Sequence, residues 1–191
     1  MNNSYVRYMI YLENSSFLPS DAINIRKRIR KLTSNFNIIV RDLRIAKKFI
    51  ECDISLEKKI NMQEILMVLK NIATTIEIIP VVEMKLEKND SIDIAKRNFN
   101  EEKYWWAHEK LEGVWKESQG EEKKLLNGII LVAAAFVHNQ KDEREICLSI
   151  LNRAMNKLYN INGTYFGINI NILKQKINEI INSKDIYQFK I

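Results

Sequence analysis

Two hydrophobic periods divide this chain. Up to about residue 84, strand-like and helix-like stretches alternate; beyond residue 90 only the helical spacing of about 3.6 remains. Residues 5–12 are rich in β-branched and aromatic side chains and read as a strand. Pro19-Ser20-Asp21 opens a helix whose apolar positions are Ala22, Ile25, Ile29 and Leu32. Residues 36–43 and 45–54 read as two further strands. In the second, Phe49, Glu51 and Asp53 alternate with Ile50, Cys52 and Ile54, giving one apolar and one mostly polar face. Residues 61–71 read as a helix through Ile65, Leu66 and Leu69, and residues 74–84 as a last strand in which Pro80 fits only at an edge or a bulge. The order β-α-β-β-α-β is the split βαβ pattern and predicts a ferredoxin-like domain over residues 1–88. That fold hosts many activities and identifies none.

Residues 85–90 (KLEKND) form a short charged joint, after which nothing reads as a strand. Residues 91–98 form one expected helix, and Asn100 is placed to cap the next, over residues 101–118, which Gln119-Gly120 ends. Residues 121–140 are apolar almost all round between Ile129 and Val137, as the central buried helix of a bundle would be. A helix over residues 142–159, a loop holding Gly163 and Gly167, and a helix over residues 170–182 complete the chain. The last of these carries Leu173, Ile177, Ile180 and Ile181 on its buried side. The expected class is therefore α+β in two domains, the second an all-α bundle over residues 89–191: two helical hairpins plus one helix.

Composition narrows the class without naming an activity. In 191 residues, 46% are hydrophobic and 28% charged, with 5 Gly and 2 Pro, which excludes disorder and collagen-like repeats. Cys52 and Cys147 are the only cysteines, so no cysteine-rich metal or disulfide framework exists. The longest apolar run, residues 129–137, falls far short of the roughly 20 residues of a membrane span. The opening MNNSYVRYMI lacks a cationic stretch followed by a long apolar core, so no signal peptide and a cytoplasmic location are expected. Residues 1–88 hold 15 Lys and Arg against 10 Asp and Glu, whereas residues 89–191 hold 15 against 14. The excess gathers at Arg26, Lys27, Arg28, Arg30 and Lys31, a candidate anion patch for phosphate, nucleic acid or an acidic partner. The same residues alternate with Ile25, Ile29 and Leu32, as the solvated face of an amphipathic helix does. No Gly-rich phosphate loop, Ser or Cys nucleophile motif or dinucleotide fingerprint is present.

The candidate chemistry lies in Tyr104-Trp105-Trp106-Ala107-His108-Glu109-Lys110-Leu111-Glu112. His108 and Glu112 are i and i+4, hence on one helix face, with Tyr104 one turn earlier. If the next helix packs antiparallel, His138 joins them, and His108, Glu112 and His138 make a three-ligand set with an open position, suited to one zinc, manganese or iron ion. Glu109 would then be the carboxylate that takes a proton in a metal-dependent hydrolysis. The spacing resembles the His-Glu-x-x-His helix of zinc proteases, with Glu112 at the second His, though His-Glu-x-x-Glu is common in helices. The other reading is a buried polar network of the same side chains that fixes helix register, in a non-enzymatic binding or assembly module. That module would pair with a second copy through a strand edge or present the basic cluster to an acidic partner. A catalytic site predicts solvent-reachable carboxylates; a structural network predicts a dry, sealed one. Trp105, Trp106 and Trp115 belong to an apolar helix and read as core, not as a stacking platform for bases.

Phe99-Asn100-x-x-x-Tyr104-Trp105-x-Ala107-His108-Glu109-x-Leu111-Glu112-x-x-Trp115 resembles the signature of the bacterial and archaeal domain-of-unknown-function family 309. Leu126-Asn127-Gly128-Ile129-Ile130-Leu131 through His138 is similar to that family's second helix, and Arg153-Ala154 and Tyr165-Phe166-Gly167-Ile168 to its last segments. The resemblance spans roughly residues 91–182. It implies an all-α bundle with the family's label of predicted metal-dependent hydrolase, and it makes His108, Glu109, Glu112 and His138 the polar positions of the signature. Glu102 departs from the pattern, standing where the family often has Gly. The spacing of Ala95, Phe99, Tyr104 and Ala107 also echoes tetratricopeptide hairpins, without three clear repeats. No substrate follows from any of these residues.

Overall fold

The computed structural model describes residues 4–82 and 84–191. Met1, Asn2 and Asn3 of the opening segment, and Glu83 of the last expected strand, lie outside the described residues. The chain divides into two compact units, Met1–Met84 with Gln140–Asp142, and Lys85–Asn139 with Glu143–Ile191.

In the first unit, β1 (Tyr5–Glu13) leads through a single 3-10 turn at Pro19–Asp21 into α1 (Ala22–Leu32). β2 (Ile38–Ile45), β3 (Phe49–Glu57), α2 (Met62–Leu69) and β4 (Thr75–Pro80) follow. The four strands form one sheet in the order β2-β3-β1-β4, antiparallel at every pairing. The strand expected over residues 45–54 begins later, because residues 46–48 make the turn from β2. Asn61 lies outside α2 as its N-cap, its side chain accepting from the Gln63 N–H at 3.0 Å. Pro80 ends the edge strand β4 opposite Tyr8, where its missing N–H interrupts no central ladder.

One face of this sheet supplies Ile10, Leu12, Val40, Leu43, Ile50, Cys52 and Ile54 to a core shared with Ala22, Ile25 and Ile29 of α1 and Ile65 and Leu69 of α2. The polar face of β3 is no less buried: Glu51 and Asp53 are each 2% exposed and Ser55 1%. Charge at such depth persists only when paired. Arg44 donates to Glu51 and, at 3.0 Å, to Asp42; Tyr11 donates to Glu51 at 2.6 Å. Arg7 forks onto Asp53 at 2.8 and 2.6 Å. Burial alone would lower the Arg44 pKa, but Glu51, Asp42 and Asp53 together hold it above its ordinary value. A register slip between Val40 and Asp42 leaves Arg41 as the extra residue of a β-bulge.

The second unit carries α3 (Lys88–Asn100), α4 (Tyr104–Glu117), α5 (Gly120–Asn139), α6 (Arg144–Leu158) and α7 (Ile170–Ser183), each packed on the next in sequence. Its core joins Phe99, Tyr104, Leu111, Leu126, Ile129, Phe136, Leu151 and Ile177. At Gly128 of α5 a Cβ would stand 2.5 Å from Leu158 Cδ2 of α6, so any larger residue there requires the Leu158 side chain to shift.

Three features depart from the sequence expectation. The unit is not purely helical, because β5 (Thr164–Tyr165) and β6 (Ile168–Asn169) form a small hairpin. Its turn residues Phe166 and Gly167 both have positive φ, 47° and 80°, the signature of a primed two-residue turn. Asn100 does not cap α4: it is the last residue of α3, and Lys103 occupies the N-cap of α4 without a side-chain cap bond. The Asn100 side chain instead holds the backbone of Ile191. Finally, the irregular stretch after α7 packs Ile186, Tyr187, Phe189 and Ile191 against the helical core.

Candidate functional site

Helix α4 buries Tyr104, Ala107, Leu111 and Val114, a spacing of three to four residues that turns one face inward. His108 and Glu112 follow the next row round the helix, at the rim of that face, and Glu109 lies beside them toward solvent. Among the described residues, His108, Glu109 and Glu112 form a group whose ligand atoms all lie within 4.8 Å of one another. The His108 Nδ1 stands 3.5 Å from Glu109 Oε1, with side-chain exposures of 29% and 41%. Glu112, 35% exposed, faces Lys116 at 3.9 Å one turn on. The cluster is thus open to water. One imidazole nitrogen and two carboxylates are an N/O/O donor set of the kind that holds zinc, manganese or iron, so the residues present fit a divalent ion.

His138 is not a member of that group. Its Nδ1 is hydrogen-bonded to the Glu143 carboxylate, and the Glu143 N–H donates to the His138 carbonyl at 3.1 Å. The pair closes the turn from α5 to α6. Sequence reasoning missed Glu143, since a five-residue offset across a turn matches no helical face. Tyr104 also parts from the cluster. It is 2% exposed, lies at 4.9 Å from the rings of both Phe99 and Phe136, and its hydroxyl meets no hydrogen-bond partner among the described residues. Burial, with Glu102 and Cys147 adding, raises its pKa well above the ordinary range. The three tryptophans are half-buried: Trp105 and Trp106 meet edge to face at 4.9 Å, and Lys123 lies 4.6 Å above the Trp115 ring.

The basic cluster on α1 is largely committed within its own unit. Arg26 faces Asp42 at 3.5 Å, Arg28 donates to the Asn71 carbonyl at 2.9 Å, and Arg30 donates to the Val40 carbonyl at 2.8 Å. Lys27 and Lys31 are exposed. No helix among the described residues is long and apolar enough to cross a membrane.

No curated protein matches this sequence. Among solved structures, a conserved hypothetical protein from Thermus thermophilus is similar, at 27% identity and a TM-score of 0.42, over 47% of this chain and 94% of that one. Residues 93–150, which run from α3 into α6 and include His108, Glu109, Glu112, His138 and Glu143, match the model of a domain of unknown function, DUF309.

Proposed function

We propose that the helical unit binds one divalent cation, zinc, manganese or iron, through His108, Glu109 and Glu112, and that it acts as a metal-dependent hydrolase. The observation that carries this reading is the convergence of three donor side chains within 4.8 Å on a water-reachable helix face. Exposures between 29% and 41% favour an open site over a sealed network. Bound there, the ion supplies Lewis acidity for hydrolysis. His108 and Glu112, one turn apart on a rigid helix, fix the donor geometry. Glu109 offers one oxygen as donor and keeps a second with which to accept a proton. His138, held by Glu143, supports the α5–α6 turn.

The alternative, a non-enzymatic binding or assembly module, is favoured by one observation: each cluster residue already has a partner within the helix. His108 stands 3.5 Å from Glu109, and Glu112 stands 3.9 Å from Lys116. For the first unit we retain the ferredoxin-like reading, which the element order and the strand order β2-β3-β1-β4 support. The two-domain reading, residues 1–88 and 89–191, has the support of the unit boundary at Met84 and Lys85. The two free, buried cysteines suit a reducing compartment.

The test is hydrolysis of model esters, amides and phosphoesters by zinc- or manganese-loaded protein beside Glu109→Gln. Turnover by the parent that falls about 100-fold or more in the variant, with the helical content unchanged, is expected. Equal rates in both, or no turnover in any loaded form, would refute the hydrolase reading.

A further inference from the structure

The β-bulge at Arg41 has a consequence away from the helical cluster. Because Arg41 is the extra residue of β2, its side chain turns onto the sheet face that carries Arg7 and Ser55, where its Nε donates to the Ser55 hydroxyl at 2.7 Å. Arg7 and Ser55 are directly paired across β1 and β3. With Lys58 just beyond β3, Tyr5 at the start of β1 and Val81 just beyond β4, they line a cavity of about 350 Å³. This falls in the size range of small-molecule sites. Ser55 is 1% exposed and forms the floor, whereas Arg41 and Lys58 are exposed at the rim.

Charge decides what such a cavity takes. The Arg7 guanidinium is matched by the Asp53 carboxylate, which it grips at two points. Among the described residues no carboxylate stands within ion-pair distance of Arg41 or Lys58; neighbouring Lys59 is the one that pairs with Glu57, at 3.1 Å. Two cationic heads therefore face the cavity uncompensated. The Ser55 hydroxyl, accepting from Arg41, keeps its own proton to donate. We infer that this cavity is a binding site for a small phosphate-bearing anion, seated between Arg41 and Lys58 with its phosphate on the Ser55 hydroxyl. A phosphate monoester carries close to two negative charges at neutral pH, matching these two cations, and Arg presents it a planar fork of donors. The cavity exceeds a bare phosphate, leaving room for an organic group beside Tyr5. This site is independent of the proposed metal cluster.

Calorimetric titration of the full chain with inorganic phosphate, AMP and adenosine tests the assignment, in parallel with Lys58→Ala, Arg41→Gln and the exposed control Lys70→Ala, which lies outside both the cavity and the basic cluster of α1. Saturable binding of AMP and of phosphate is expected, with adenosine silent. Affinity should fall about tenfold or more in Lys58→Ala and in Arg41→Gln, and stay unchanged in Lys70→Ala. Lys58 is exposed and its side chain hydrogen-bonds nothing among the described residues, so its variant keeps the test valid should Arg41→Gln fold poorly. The inference is overturned if neither phosphate nor AMP binds, if adenosine binds as well as AMP, or if Lys58→Ala binds like the parent. Binding of a single-stranded oligonucleotide without AMP binding would also overturn it.

Discussion

Asn100 and Ile191, 91 residues apart, are joined by both ends of one carboxamide: its Oδ1 accepts from the Ile191 N–H at 2.8 Å and its Nδ2 donates to the Ile191 oxygen at 3.2 Å. The clasp sits beside Phe189, whose ring packs 5.7 Å from Phe99 and 5.5 Å from Phe136. It therefore tethers the segment after α7 to the aromatic centre of the helical core. Asn100→Ala removes both bonds and should lower stability by about 1–3 kcal/mol in urea unfolding. Asn100→Asp, which keeps the acceptor but sets a carboxylate oxygen against the Ile191 oxygen in place of the donor, should cost at least as much. A variant as stable as the parent would show that the clasp contributes nothing.

Glu102 occupies a position built for glycine. Its φ is 63°, and it follows the C-cap of α3 in a Schellman arrangement: Lys103 N–H donates to Asn98 at 2.8 Å and Glu102 N–H to Phe99 at 3.0 Å. Left-handed backbone costs a non-glycine residue roughly 1–2 kcal/mol, while glycine adds about 0.5–1 kcal/mol of unfolded-state entropy. The first effect is the larger, so Glu102→Gly should raise the melting temperature by a few degrees. A fall would mean that the contacts of the Glu102 side chain outweigh the strain. The position lies between Glu101, the C-cap of α3, and Lys103, the N-cap of α4.

How far the sequence anticipated these features depends on their range. Strand alternation and helical spacing placed β1, α1, α4, α5 and α7 to within a few residues, because each buries a continuous stripe such as Tyr104, Ala107, Leu111 and Val114. Of the candidate site, the neighbours His108, Glu109 and Glu112 were legible from one helix, whereas the Glu143 partner of His138 was not. The Asn100 clasp was invisible for the same reason: a cap and a long-range clasp use the same side chain, and only tertiary structure chooses between them. The β5–β6 hairpin pairs just two residues per strand, too few for any alternation to register. The depth of Glu51 and Asp53 escaped because alternation separates the faces of a strand without saying whether the polar one meets water.

Those buried carboxylates lead to a stability prediction. Arg44 is the cation that serves Glu51 and Asp42 at once. Arg44→Met would leave Glu51 buried without its cation, at a cost of roughly 3–5 kcal/mol. Adding Glu51→Gln should recover a measurable part of that loss, because the amide needs no counter-charge. A double-mutant cycle by chemical denaturation decides the matter: simple additivity would refute the coupling.

Acid should loosen the hairpin end of the helical unit. Glu122 accepts hydrogen bonds from Lys88 and, at 2.9 Å, from the Tyr165 hydroxyl; these bonds, that from Lys88 foremost, hold its pKa below the ordinary 4.5. A depressed folded pKa contributes stability that is present above 4.5 and lost as pH falls through the folded value. Lys88→Met should therefore flatten the stability curve below pH 4.5 and lower it above. Both partners are a third or more exposed, so solvent keeps the effect small. Parallel curves for parent and variant across that range would contradict the assignment.

The most direct test of the metal-site reading is metal content. Elemental analysis of protein purified without chelator should find about one zinc, manganese or iron per chain, and His108→Ala or Glu112→Gln should lose it. In the same comparison His138→Ala should retain the metal, since His138 belongs to Glu143 and not to the cluster. A parent that holds no divalent ion even after soaking, or a His108→Ala variant that holds as much as the parent, would contradict the account.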